Sequence, residues 1–157
     1  MTRTTKAALA LCVLLFGAAI EARADCQYVR GSIAETRISV GTEPIRNLGT
    51  VTGVLNGAVT VTLISTIPPV KSSDIFVTKS GDVLRAEGLP TRTPVSGEPG
   101  EFISHVDLTV VGGAGKYEGA YGMMEFDGLS HTAAVPPTAE LIYKGTVCGP
   151  NVKGDGN

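Results

Sequence analysis

The chain has 157 residues, with 20 glycines, 9 prolines and 43% hydrophobic side chains. That suits one domain that can build a core but turns often, and it argues against long helices, simple disorder and a multidomain enzyme. Thirteen basic and fifteen acidic residues, net −2, are spread without a basic face, so nucleic acid drops out as a partner.

Residues 1–24 read as an export signal. Arg3 and Lys6 precede an apolar run from Ala7 to Ile20, and Ala22-Arg23-Ala24 supplies a small-residue cleavage site. The run is too short to cross a bilayer, so no stable membrane insertion is expected after cleavage. The mature chain of 133 residues would carry net charge −4, in the periplasm or secreted. Cys12 leaves with the signal, and the remaining pair, Cys26 and Cys148, is expected to form a disulfide in an oxidising compartment. Two unrelated thiols or part of a metal site are the alternatives, but His105 and His131 flank no cysteine and no metal site is assigned.

Beyond Cys26 the apolar pattern has period two and is broken by turn residues every eight to twelve positions, the all-β signal. Tyr28–Ser39 is the first predicted strand, ended by a turn at Gly41–Pro44. Leu48–Leu55 and Ala58–Ser65 flank Asn56-Gly57, a two-residue hairpin signal. After Pro68-Pro69, strands at Asp74–Thr78 and Asp82–Gly88 surround Ser80-Gly81. Pro90–Gly100 reads as a loop without strand potential. Phe102–Val111, Ala120–Asp127 and Glu140–Cys148 complete eight strands, with Pro136-Pro137 in the last connection. The domain is taken as 25–149, with 150–157 as a flexible tail and mobility expected from Gly149 onward.

Eight successive antiparallel strands can close as an up-and-down barrel or split into a sandwich. In a closed barrel the first and last strands are neighbours, which would put Cys26 beside Cys148 at the seam. That favours the barrel.

The stretch Val110-Val111-Gly112-Gly113-Ala114-Gly115-Lys116-Tyr117-Glu118-Gly119-Ala120-Tyr121-Gly122 resembles the G-G-T-G-x-F-x-x-A-x-G hairpin of dirigent proteins and of secreted bacterial relatives of allene oxide cyclase. Ala114 stands where those proteins have Thr, and Tyr117 where they usually have Phe. The ending Tyr143–Gly149 is similar to the last strand of the bacterial members. The resemblance implies an eight-stranded barrel and admits a homo-oligomer. It does not imply one activity, since members include cyclases, guides of radical coupling and proteins without an assigned role. The same glycines fail as a phosphate loop: Val110 and Tyr117 occupy positions where Gly and Ser or Thr are required, and Glu118 breaks the dinucleotide fingerprint.

Taking the more apolar face as inward points Val29, Gly31, Ile33 and Glu35 into the lumen from the first strand. Val59, Val61, Leu63 and Ser65 follow from the third, and Leu84 and Ala86 from the fifth. Phe102, Ser104, Val106 and Leu108 come next, then Gly122, Met124 and Phe126, then Leu141, Tyr143, Gly145 and Val147. The lumen is expected to be apolar with few polar tips, its glycines and alanines leaving room for a small hydrophobic molecule. Ser65, Ser104, Met124, Phe126 and Tyr143 are the candidate ligand contacts.

Glu35 is the first candidate for acid–base work, because a carboxylate among Val, Ile and Leu has its charged form disfavoured. The competing reading puts it at the rim, solvated or paired with Arg37. Tyr143 either donates to a bound oxygen or is a core tyrosine whose hydroxyl reaches backbone. His105 and Asp107 share an outer face, where such pairs are ordinarily solvated. Three functions remain: an exported barrel binding a small hydrophobic ligand; a cofactor-free cyclase or isomerase in which Glu35 or Tyr143 moves a proton; and a filled structural or interaction barrel. No cofactor is implied.

Overall fold

The computed structural model describes residues 24–39 and 44–153. The expected export signal, but for Ala24, and the expected turn at Gly41–Pro44, but for Pro44, lie outside these. Eight antiparallel strands run β1 (Asp25–Arg37), β2 (Arg46–Val51), β3 (Gly57–Ser65), β4 (Lys71–Thr78), β5 (Val83–Pro94), β6 (Glu101–Ala114), β7 (Tyr121–His131) and β8 (Thr138–Gly149). Each pairs with the next and β8 returns to β1, closing the barrel in chain order. Among the described residues no helix is long and apolar enough to cross a membrane.

Closure is made by the longest uninterrupted run of pairing, from Asp25↔Gly149 to Thr36↔Thr138. Cys26 and Cys148 are direct partners in this ladder and are joined by a disulfide with their Cα atoms 4.0 Å apart. A barrel has no free edge except where strand lengths differ, and here one such place matters. β4 ends its pairing with β5 at Ser72↔Gly88, while β5 continues along β6 to Pro94↔Phe102. From Leu89 to Pro94 the strand has a neighbour on one side only. Proline, which cannot donate to a ladder, is tolerated on such an edge. The expected loop at Pro90–Gly100 is therefore corrected: its first half is strand, and the connection shrinks to residues 95–100.

The Asn56-Gly57 turn is a second correction. Gly57 already pairs with Val51, so the connection spans five residues. The positive φ is at Gly53 (82°), and among the described residues no non-glycine has one. Gly53 cannot carry a Cβ, which would run into the Arg30 carbonyl. The β6–β7 hairpin uses the glycine-rich stretch as a tight connection: Gly115 and Gly119 have φ of 67° and 69° around one 3₁₀ turn.

The inward face is filled towards the end of the barrel that carries the disulfide. Phe76 meets Phe126 edge-on at 6.0 Å and Tyr143 at 6.5 Å. Leu55, Tyr117, Ala120 and Val152 are buried over that end. The segment after β8, expected to be mobile, is thus pinned in its described part by Val152, 2% exposed. The room expected beside the inward glycines is taken: a Cβ at Gly31 would meet the Tyr143 ring, and one at Gly145 the Met124 side chain.

Candidate functional site

The opposite end differs. There the inward positions of β1, β4, β6 and β7 carry Glu35, Ser72, Asp74, Ser104 and Ser130, all buried. With Asn47 from β2 and Arg92 from β5 they line a cavity of about 50 Å³ whose remaining wall is apolar, including Val61, Phe126 and Leu141. That volume holds a few waters or one small polar group. Beside it lies a groove of about 260 Å³ lined by Ile45, Leu63, Thr66, Val70, Pro90 and Arg92. The two spaces share Leu63, Pro90 and Arg92. The groove exists because β4 stops short of the β5 overhang, leaving the flank of Pro90 and Arg92 uncovered.

Glu35 is 5% exposed, so it occupies the lumen rather than the solvated rim. Asn47 Nδ2 donates to its Oε2 at 3.0 Å. Burial pushes its carboxyl up, opposed by the Asn47 hydrogen bond and the charge of Arg92. Asp74 is 1% exposed and accepts from Ser72 Oγ at 2.6 Å. Burial raises its pKa to about 7; the Ser72 hydrogen bond opposes this, and the like charge of Glu35 adds to it. Arg92 is pushed down by burial and by Arg37, and held up by Glu35. Ser104 and Ser130 share a hydrogen bond of 2.6 Å. The Oδ1 of Asn47 is buried without a partner among the described residues.

The other candidates are distributed unevenly. Ser104 and Phe126 line the cavity. Met124 is buried deeper, in the core. Ser65 does not line either space: β3 carries an extra residue between Leu63 and Ser65, which ends the alternation, and the Ser65 hydroxyl turns to the Ile67 carbonyl at 3.0 Å. Tyr143 realises the second of its two readings. Its hydroxyl accepts from the Leu55 N–H at 2.9 Å and donates to the Thr52 carbonyl at 2.8 Å, at the filled end. His105 lies on the outer face between Asp127 (2.7 Å) and Asp107 (3.3 Å). Among the described residues no group of His, Cys, Asp and Glu is arranged to hold a metal ion.

Asp74, Ser72, Asn47, Arg92 and Ser130 are the site residues that sequence reasoning missed. On β4 the signal was inverted. Ile75 and Val77 face outward, 38% and 43% exposed, while Ser72 and Asp74 face in, so hydropathy would choose the wrong face. Phe76, inward beside them, was the usable clue.

The chain matches no family model, no curated protein and no solved structure.

Proposed function

We propose that this chain is an exported β-barrel that binds one small, largely apolar molecule through its open end. The polar tip of the ligand enters the cavity between Glu35 and Asp74, and its apolar body lies in the groove over Leu63, Val70 and Pro90. The observation that carries this reading is the junction of the two spaces at Arg92. The cavity alone is far below the size of a small-molecule site, but with the groove it reaches the lower end of that range, about 300 Å³. The N-terminal signal pattern and the disulfide both fit an oxidising compartment outside the cytoplasm. The resemblance to dirigent and allene oxide cyclase-like barrels fits the same use of the fold.

A second reading, a cofactor-free cyclase or isomerase, is favoured by Asp74. A buried carboxyl raised to about 7 exchanges a proton readily at neutral pH, as an acid–base catalyst must. Glu35, beside it and held by Asn47, would keep the second charge in place. Tyr143 has no part in this version, since both hydrogen-bonding roles of its hydroxyl are filled.

The test is native mass spectrometry of the protein exported by its own host, before and after mild denaturation, with uptake of a hydrophobic dye measured in parallel. The expected result is a mature chain beginning at Asp25 and a released small molecule, or dye uptake that a Leu63→Trp change in the groove removes. An empty protein that takes up no dye would overturn both readings in favour of a filled structural barrel.

A further inference from the structure

We propose that the ligand is a primary amine whose ammonium group seats against Asp74, with its hydrocarbon body in the groove. This rests on the ligand-binding reading above and assigns its chemical class.

Buried charges are ordinarily paired, and Asp74 is not. Its one hydrogen bond comes from a neutral hydroxyl, Ser72, and the charge that bears on it, Glu35, has its own sign. Arg92 acts on Glu35, and Arg37 acts on Arg92 in turn. The walls from β3, β6, β7 and β8 bring apolar side chains and the Ser104–Ser130 pair, with no titratable group. The cavity lining thus sets one cation, Arg92, against two carboxylates, and that cation bears on Glu35, so a positive charge facing Asp74 is what is missing.

The hydrogen bonds point the same way. Ser72 gives its proton to Asp74, Asn47 gives one to Glu35, and the two serines share one between them. Acceptors are left over in the lining: each carboxylate accepts through one oxygen only, and the buried Asn47 Oδ1 has no partner among the described residues, while the unpartnered buried donor nearby, Arg37 Nε, stands outside this lining. An ammonium brings three donors and no acceptor. It is also small enough for a cavity of about 50 Å³, whereas the chain that carries it is not and must lie in the groove.

Binding has a proton balance. Where Asp74 is protonated before the amine arrives, its carboxyl proton passes to the buffer and leaves a carboxylate–ammonium pair. With a pKa of about 7, roughly half a proton is released per amine bound at pH 7.

The experiment uses hexylamine, hexanol and hexanoate, which share one hydrocarbon body and differ in the head. Each is titrated calorimetrically into the mature protein at pH 7, in two buffers of different ionisation enthalpy. Hexylamine is expected to bind at least about tenfold more tightly than the other two, with the buffer dependence that proton release requires. Asp74→Asn should erase that preference and the proton release while hexanol binding persists, which also reports that the variant is folded. Binding of hexanol or hexanoate as tight as that of hexylamine would overturn the amine assignment and leave the ligand-binding reading standing. Failure of all three to bind or to displace the dye would overturn both.

Discussion

The Tyr143 hydroxyl joins β8 to the β2–β3 connection, accepting from the Leu55 N–H at 2.9 Å while donating to the Thr52 carbonyl at 2.8 Å. Leu55 is fully buried, so its amide has no water to turn to. Tyr143→Phe is expected to cost about 1–3 kcal/mol, the usual penalty for stranding a buried donor. Urea denaturation should show a lower midpoint at unchanged slope. Dye uptake should not change, because this hydroxyl is at the filled end. A stable variant that loses dye uptake would place the hydroxyl in the site after all.

The Cys26–Cys148 bond closes a loop spanning 122 residues of separation. In the chain-entropy picture a loop of that size contributes about 4–5 kcal/mol by restricting the unfolded chain. The paired change Cys26→Ser with Cys148→Ser is expected to lower stability by a large part of that figure while the barrel still closes, since twelve residue pairs join β1 and β8. Comparing denaturation of the variant with that of the oxidised and of the reduced wild type checks it. Equal stability of all three forms would mean that the seam holds through its ladder alone.

The inward faces of β1, β3 as far as Leu63, β6, β7 and β8 were legible because a closed barrel buries one face of every strand and side chains alternate with period two. Glu35 was found that way, and the expected pairing of Cys26 with Cys148 was what favoured closure. Two kinds of information were not local. The β3 irregularity at Ser65 and the strand character of Pro90–Pro94 depend on where the neighbouring strand stops, which no single segment records. Asp74 was hidden because β4 puts its aliphatic residues outside and a buried carboxyl inside. A strand that turns a carboxyl inward and its aliphatic residues outward contradicts the pattern used to read it.

Asp74 should make stability depend on pH with an unusual sign. A carboxyl whose folded pKa of about 7 lies above its unfolded value near 3.8 holds more protons in the native state between those values. Stability then falls as pH rises from about 4 to about 7 and levels off above. The change across that window is on the order of 4 kcal/mol. Glu35, raised by burial, and His105, raised chiefly by Asp127, add slope of the same sign. The difference between wild type and Asp74→Asn is therefore the informative quantity. Asparagine keeps an acceptor for Ser72 and never charges, so the variant should be the more stable protein at pH 8 and close to wild type at pH 4. Thermal melts at the two values decide it, and parallel curves for both proteins would refute the shift.

Gly88 offers the sharpest structural test of the cavity. It pairs with Ser72 across the last rung between β4 and β5, and a Cβ there would collide with the Ser72 hydroxyl and stand 3.1 Å from Asp74 Oδ2. Gly88→Ala must therefore push Ser72 away from Asp74 or fill the space beside it. Overpacking of this kind costs about 1–3 kcal/mol, and the loss of the Ser72 hydrogen bond would raise the Asp74 carboxyl further. The expected phenotype is a folded barrel with a lower denaturation midpoint and no uptake of small ligands. Ser72→Ala in the same background removes the colliding hydroxyl and should recover part of the stability. Recovery of stability without recovery of ligand uptake would show that the methyl itself blocks the cavity. Unimpaired uptake in Gly88→Ala alone would mean that ligands bind elsewhere on the protein.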